Sequence, residues 1–155
     1  MTLKALNGHG IEAGWQSEAS LAIAGGRRYR AADTVVEGDW SNAANLMALG
    51  AEVTGVDPES LQGDKACAGF FRQLDKCRAA IDIADCPDLG PVLMAYAATK
   101  HGALLTGTRR LRFKESDRGS AMKEELAKFG VEVDISDDTI TVGCGAKAPS
   151  ETLEG

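Results

Sequence analysis

Apolar and polar positions alternate along this chain at two distinct periods. Between Asp117 and Phe129, Met122, Leu126 and Phe129 share one helical face, Glu124 and Lys128 stand four apart, and Gly130 follows where a left-handed cap is wanted. The spacing predicts a helix over about 117–129. Beyond it "VEVDI" and "TITV" alternate at period two around the turn "SDD", which predicts a hairpin. Upstream, Leu89, Val92, Leu93, Tyr96 and Ala97 recur at helical spacing, with Pro91 in the first turn and Gly102 as the stop. "GDKACAGFFRQLDKC" reads as a helix through Cys67, Phe70, Phe71 and Leu74. "DWSNAANLMALG" reads as a shorter one with Ser41 as its N-cap and Gly50 as its stop. "ALLTG" and "RLRF" read as short strands. The fold class is therefore α/β.

The stretches "GIEA", "GAEV" and "GVEV", beginning at Gly10, Gly50 and Gly130, each place a glycine after a helical pattern and before a strand start. Their regular spacing suggests a repeated supersecondary unit. The opening "LKALNGHG" reads as the end of a helix and the closing "KAPSETLEG" as a loop, so the chain reads as a segment of something larger.

Composition narrows the function. The 155 residues carry 17 Lys and Arg against 23 Asp and Glu, a formal net charge of −6. That balance disfavours a nucleic-acid partner, because affinity for the phosphate backbone comes mainly from cations. No run approaches the roughly 20 apolar residues of a membrane span, and a cytoplasmic protein is the expectation. Cys67, Cys77, Cys86 and Cys144 match no zinc or redox spacing and read as reduced thiols, mostly in the core. With His9 and His101 as the two histidines, a metal cage is not expected.

Against this acidic background "RRLRFKESDR" is densely basic. Read as a strand, it sets Leu111 and Phe113 on one face and Arg110, Arg112 and Lys114 on the other, with same-face neighbours about 6 to 7 Å apart. The helix that follows would offer its free N–H groups, with Arg118 on its first turn as a fork for a carboxylate or phosphate. Glu115, among these cations, could exchange a proton with a bound substrate. A solvated basic edge with Asp117 as a cap explains the same residues. In "IDIADCPDLGP", Asp82, Asp85 and Asp88 surround a strand-to-helix junction, where open α/β sheets place ligands. Asp85 is expected to cap or turn, while Asp88 is open between cap and general base. Asp39, Ser41 and Asn42 form a weaker cluster, and Trp40 is either a packing residue or a lid.

Together "VEGDWSNAA", "IDIADCPDLGP" and "LRFKESDRGSAMKEELAKFGVEV" resemble the 3-phosphoshikimate 1-carboxyvinyltransferase (EPSP synthase) family, from about Leu3 to Gly155. The resemblance implies repeated βαβαββ units, helices inside and sheets outside, present here only in part. It makes residues 1–36 the tail of a shikimate-binding domain with a crossover strand, and 37–155 much of the second domain. It implies transfer of the enolpyruvyl group of phosphoenolpyruvate to the 5-hydroxyl of shikimate 3-phosphate, on the way to chorismate and aromatic amino acids, with no metal or organic cofactor. By resemblance Asp88 accepts the hydroxyl proton and Glu115 protonates the methylene and later takes a proton back. Lys114 would meet the 3-phosphate and Arg118 would clamp phosphoenolpyruvate. Arg110 stands where the family often has a neutral polar side chain, and the family's other basic segments are absent, so the chain alone is expected to be inactive. The alternatives are a related transferase acting on UDP-N-acetylglucosamine, which "KESDR" disfavours, and a non-catalytic anion-binding module of the same fold.

Overall fold

The computed structural model describes residues 1–113, 116–149 and 152. Its internal contacts divide the chain into two units, 1–37 and 38–155.

In the first unit helix α1 (Thr2–Gly8) leads to an antiparallel hairpin of β1 (Ala13–Ser17) and β2 (Ser20–Ile23). Asn7 joins them, its carboxamide donating to the carbonyl of Ala13 at 2.9 Å and accepting from the Ala13 N–H at 3.1 Å. Trp15, Leu21 and Ile23 on this hairpin are exposed, as is the whole of Val35 and Val36.

The second unit opens with α2 (Trp40–Ala48) and α3 (Cys67–Leu74), the latter entered through a 3-10 turn at Gly63–Ala66. Then come β3 (Ala79–Asp82), α4 (Gly90–Thr99), β4 (Ala103–Thr106), α5 (Arg118–Lys128), β5 (Val133–Ile135) and β6 (Thr139–Val142). That order is one βαβαββ unit. Its four strands lie in the order β3-β4-β6-β5, with β3 and β4 parallel and β6 antiparallel to both neighbours.

Register explains the core. Ile81, Leu105 and Ile140 are paired across successive strands, as are Ala79, Ala103, Val142 and Val133, and every one of these is buried. Period two sends them all to one face. Against that face pack Leu93, Met94, Ala97 and Ala98 of α4, with Leu74 of α3 and Leu126 of α5. Asp82, Thr106, Thr139, Thr141 and Asp134 take the other, more open face.

The repeated glycines have a common physical cause. Gly10, Gly50 and Gly130 all have φ between 73° and 81°. In each case the next residue donates its N–H to the carbonyl five positions back: Ile11 to Leu6, Ala51 to Leu46 and Val131 to Leu126. This is the Schellman cap, whose left-handed position suits glycine. A strand follows the first and third, but residues 51–62 after Gly50 contain none.

Other local expectations need correction. Asp39, not Ser41, caps α2, its Oδ1 accepting from the Ser41 N–H at 2.9 Å and from the Ser41 hydroxyl at 2.8 Å. Asn42 donates to the other oxygen of Asp39 at 2.8 Å, so this trio is tied up in capping. Trp40 is a packing residue: it is buried, and its indole N–H donates to the Asp57 carbonyl at 3.0 Å. Of the cysteines only Cys67 and Cys86 are buried; all four are free.

At the C-terminal ends of α3 and α4, Tyr96 and Lys100 both reach Asp75 Oδ1, at 2.8 and 2.9 Å. Lys100 first, then the Tyr96 hydroxyl, hold the Asp75 carboxyl below its ordinary range, and Asp75 in turn raises Lys100. A depressed carboxyl gives stability that is present above its unfolded pKa and lost as pH falls through the folded one. Thermal midpoints of the wild type and Asp75→Asn should therefore differ by a constant amount from about pH 5 to 8 and converge in more acid solution. A difference that persists at the acid end would contradict the pairing.

Candidate functional site at the carboxyl ends of β3 and β4

Parallel pairing puts the ends of β3 and β4 side by side, Asp82 opposite Thr106. Both connections to the following helices therefore start from one edge of the sheet. After β3, Asp82 Oδ1 accepts the Ala84 N–H at 2.9 Å and the Cys86 N–H bonds the Ile83 carbonyl, closing the turn. Asp82 thus does the work expected of Asp85; the cap position of the next turn is Cys86, without a side-chain bond. Pro87 and Leu89 are buried, so the 3-10 turn Pro87–Leu89 leaves Asp88 between them facing outward.

After β4 the chain does not continue as a strand. "RLRF" lies in a 3-10 helix, Arg109–Phe113, in which Leu111 is buried while Phe113 is 79% exposed. A strand would have put both on one face. Gly107 decides otherwise: it turns the chain at φ +69, and a Cβ there would sit 2.6 Å from the Ala84 nitrogen and from Asp82 Oδ1. Leu111 then seats against Gly90 at the start of α4, where a Cβ would lie 3.0 Å from both of the Leu111 methyls.

Among the described residues, Arg110 and Arg112 accordingly do not form the expected strand-face row; Lys114, its third member, lies outside them. Arg110 donates to the Ala84 carbonyl at 3.2 Å. Arg109 pairs with Asp137, and its N–H bonds Asp138 Oδ1 at 2.9 Å. Arg112 donates to the Ser136 carbonyl at 2.6 Å. Much of the positive charge in this stretch serves the protein's own loops. The sequence shows Ser136–Asp138 only as a turn; its contacts with Arg109 and Arg112, 25 to 29 residues away for the two acids, leave no local signal.

Arg118 opens α5, as the spacing predicted, behind the cap Asp117, whose carboxylate accepts from the Ser120 N–H at 3.1 Å and hydroxyl at 2.9 Å. These bonds hold the Asp117 carboxyl below the ordinary range, with Arg112 contributing less. Arg118 Nη1 donates to Asp88 Oδ1 at 2.8 Å, the two side chains 29% and 41% exposed. Two of the four site residues expected from the sequence, 30 positions apart, therefore meet. Lys114 and Glu115, the other two, lie outside the described residues.

Chemically the pair joins a carboxylate, an acceptor when ionised, to a planar guanidinium that can fork onto a second anion. Cys86 adds no nucleophile. Burial first, then Asp64, Asp85 and Asp82, push its thiol up to about 11, so it stays protonated at neutral pH. Thiol alkylation of the native protein should modify Cys77 and Cys144 and reach Cys67 and Cys86 only on denaturation. Rapid native labelling of Cys86 would contradict that burial.

A family model described as EPSP synthase (3-phosphoshikimate 1-carboxyvinyltransferase) matches residues 1–154. The 3-phosphoshikimate 1-carboxyvinyltransferase of Brachyspira hyodysenteriae is 32% identical over 166 residues, covering 92% of this chain and 40% of that protein. Its namesake from Clostridium kluyveri is 32% identical over 164 residues, covering 92% and 38%. The solved EPSP synthase of Acinetobacter baumannii superposes with a TM-score of 0.67 at 21% identity, over 96% of this chain and 41% of that one, and so shares the fold. The chain spans about 40% of the length of the curated relatives it matches. Among the described residues no helix is long and apolar enough to cross a membrane.

Proposed function

The chain belongs to the EPSP synthase family, and from that membership we propose that it supplies part of one wall of an active site that moves the enolpyruvyl group of phosphoenolpyruvate onto the 5-hydroxyl of shikimate 3-phosphate, in the cytoplasm. The observation that carries this reading is the Asp88–Arg118 pair at the joint carboxyl edge of β3 and β4. Asp88 takes the proton of the 5-hydroxyl as its oxygen attacks C2 of phosphoenolpyruvate, while Glu115 delivers a proton to the methylene carbon. Loss of phosphate, with a methyl proton returning to Glu115, leaves the enolpyruvyl ether. Arg118 holds the phosphoenolpyruvate anion and Lys114 the 3-phosphate. Both substrates are polyanions, and fixed cations offset their mutual repulsion without reorganisation. The carboxylates favour the cationic character that develops at C2. Residues 1–36 belong in this reading to the shikimate-binding domain and 37–155 to the other.

Closure of two domains on substrate requires both walls, so the chain by itself is not expected to turn over. The test is a chimera in which this chain replaces the matching segment of the Brachyspira hyodysenteriae relative, assayed for phosphate release. Release that requires both substrates is expected from the chimera and none from the isolated chain. A folded chimera that binds both substrates without releasing phosphate would favour the non-catalytic anion-binding module.

A further inference from the structure

Among the arginines of the 3-10 helix, Arg112 has two attachments to a single loop. Its Nη2 donates to the Ser136 carbonyl at 2.6 Å, and its Nη1 lies 3.6 Å from Asp137 Oδ1. Both partners belong to the loop between β5 and β6. The start of α5 rests on the same hairpin: Gly119 is buried, and a Cβ on it would lie 3.3 Å from Ile140 Cδ1 and 3.7 Å from Ile135 Cδ1. Arg112's charge also acts on Asp117, the residue that caps α5. One hairpin therefore serves as a common base for the 3-10 helix and for α5.

We propose that Arg112 is a positioning residue: by anchoring the end of the 3-10 helix to the Ser136–Asp137 loop, part of the hairpin on which α5 also rests, it keeps that base in place and so holds Arg118 against Asp88. This rests on the reading that Asp88 and Arg118 belong to the anion-handling site. The chemistry requires a guanidinium. A planar fork addresses the Ser136 carbonyl and the Asp137 carboxylate together, whereas an ammonium is a compact point charge with no fork. Arg112 is only 38% exposed, compared with 62% for Arg109, so its bonds compete less with water. Its guanidinium, engaged with the hairpin, is not the group that meets the substrate.

The test is nuclear magnetic resonance of the ligand-free 155-residue chain, comparing Arg112→Gln and Arg112→Lys with wild type. In Arg112→Gln the Arg118 Nε–H signal should lose its ion-paired shift, and the Asp88 side-chain carbon and the amides of residues 116–120 should move. The amides of Val133, Ile140 and Val142 and the thermal midpoint should stay close to wild type. Arg112→Lys should give shifts partway between. Changes confined to residue 112 and residues 136–138 would overturn the proposal. If Arg112→Gln fails to fold, Asp137→Ala decides, with Arg109→Gln to account for the pair that Arg109 also makes with Asp137: smaller shifts of Arg118 and Asp88 that Arg109→Gln does not give support the role, and unchanged signals, or the same shifts in Arg109→Gln, overturn it. These readouts need no substrate. Failure here is therefore distinct from failure of the proposed reaction, which phosphate release by the chimera reports.

Discussion

Gly107→Ala is expected to lower the thermal midpoint of the chain far more than Gly130→Ala, although both glycines have nearly the same left-handed backbone, φ +69 and +73. At Gly130 a Cβ meets nothing within 4 Å, so alanine there incurs only the conformational cost, about 1–2 kcal/mol. At Gly107 the same atom lands 2.6 Å from the Ala84 nitrogen and from Asp82 Oδ1 and 2.7 Å from the Ala84 Cβ. Backbone stands in the way, and forcing space in a packed region costs about 1–3 kcal/mol more. For a chain of this size the total corresponds to a fall of about 10 °C. The structural result matters as much: relief requires β4's exit to move away from the Asp82–Ala84 turn, which shifts the 3-10 helix and with it the approach to Arg118. Equal midpoints for the two variants, read by circular dichroism melting, would contradict the close approach at Gly107.

The second large effect is functional. In the chimera with the Brachyspira hyodysenteriae relative, Asp88→Asn is expected to reduce the rate of phosphate release by about 10²–10⁴, the usual contribution of a positioned proton acceptor. Asp88 is 41% exposed and sits in a turn fixed by its buried neighbours Pro87 and Leu89, so the substitution should leave the fold intact. The amide still offers an oxygen to Arg118 but accepts no proton. The loss should therefore appear in kcat, with a smaller effect on KM. A variant that retains its rate within tenfold would remove Asp88 from the chemistry and reduce it to a partner for Arg118.

How far the sequence revealed these features differs from element to element. The run from α5 through β5 and β6 was readable because its periods are long and clean and a glycine ends the helix. Arg118 at the start of α5 and Asp88 at the strand-to-helix junction followed from that frame together with the family resemblance. "RLRF" misled because alternation is a local signal. Its conformation is set by what Gly107 must avoid and by the space that Leu111 fills against Gly90, neither of which is written nearby. Ser41 and Asp39 are both good caps two residues apart, and the choice between them depends on which carboxylate or hydroxyl meets the free N–H groups. The β1–β2 hairpin gave little warning, since exposed Trp15, Leu21 and Ile23 blur the contrast between its faces. The partners of Arg109, Arg110 and Arg112 are hidden for a related reason. Charge density is visible in a sequence, but the carbonyls and carboxylates that absorb it lie 24 to 28 residues away along the chain.

The central claim is that the carboxyl edge of β3 and β4 holds the anionic substrates of an enolpyruvyl transfer, with Asp88 and Arg118 facing them. An amide NMR titration of the chain with phosphoenolpyruvate and shikimate 3-phosphate, singly and together, tests it most directly. Saturable shifts centred on Asp88 and residues 116–118, stronger when both are present, are the predicted result. A well-dispersed spectrum in which those residues stay still while shifts gather elsewhere, or nowhere, would contradict it.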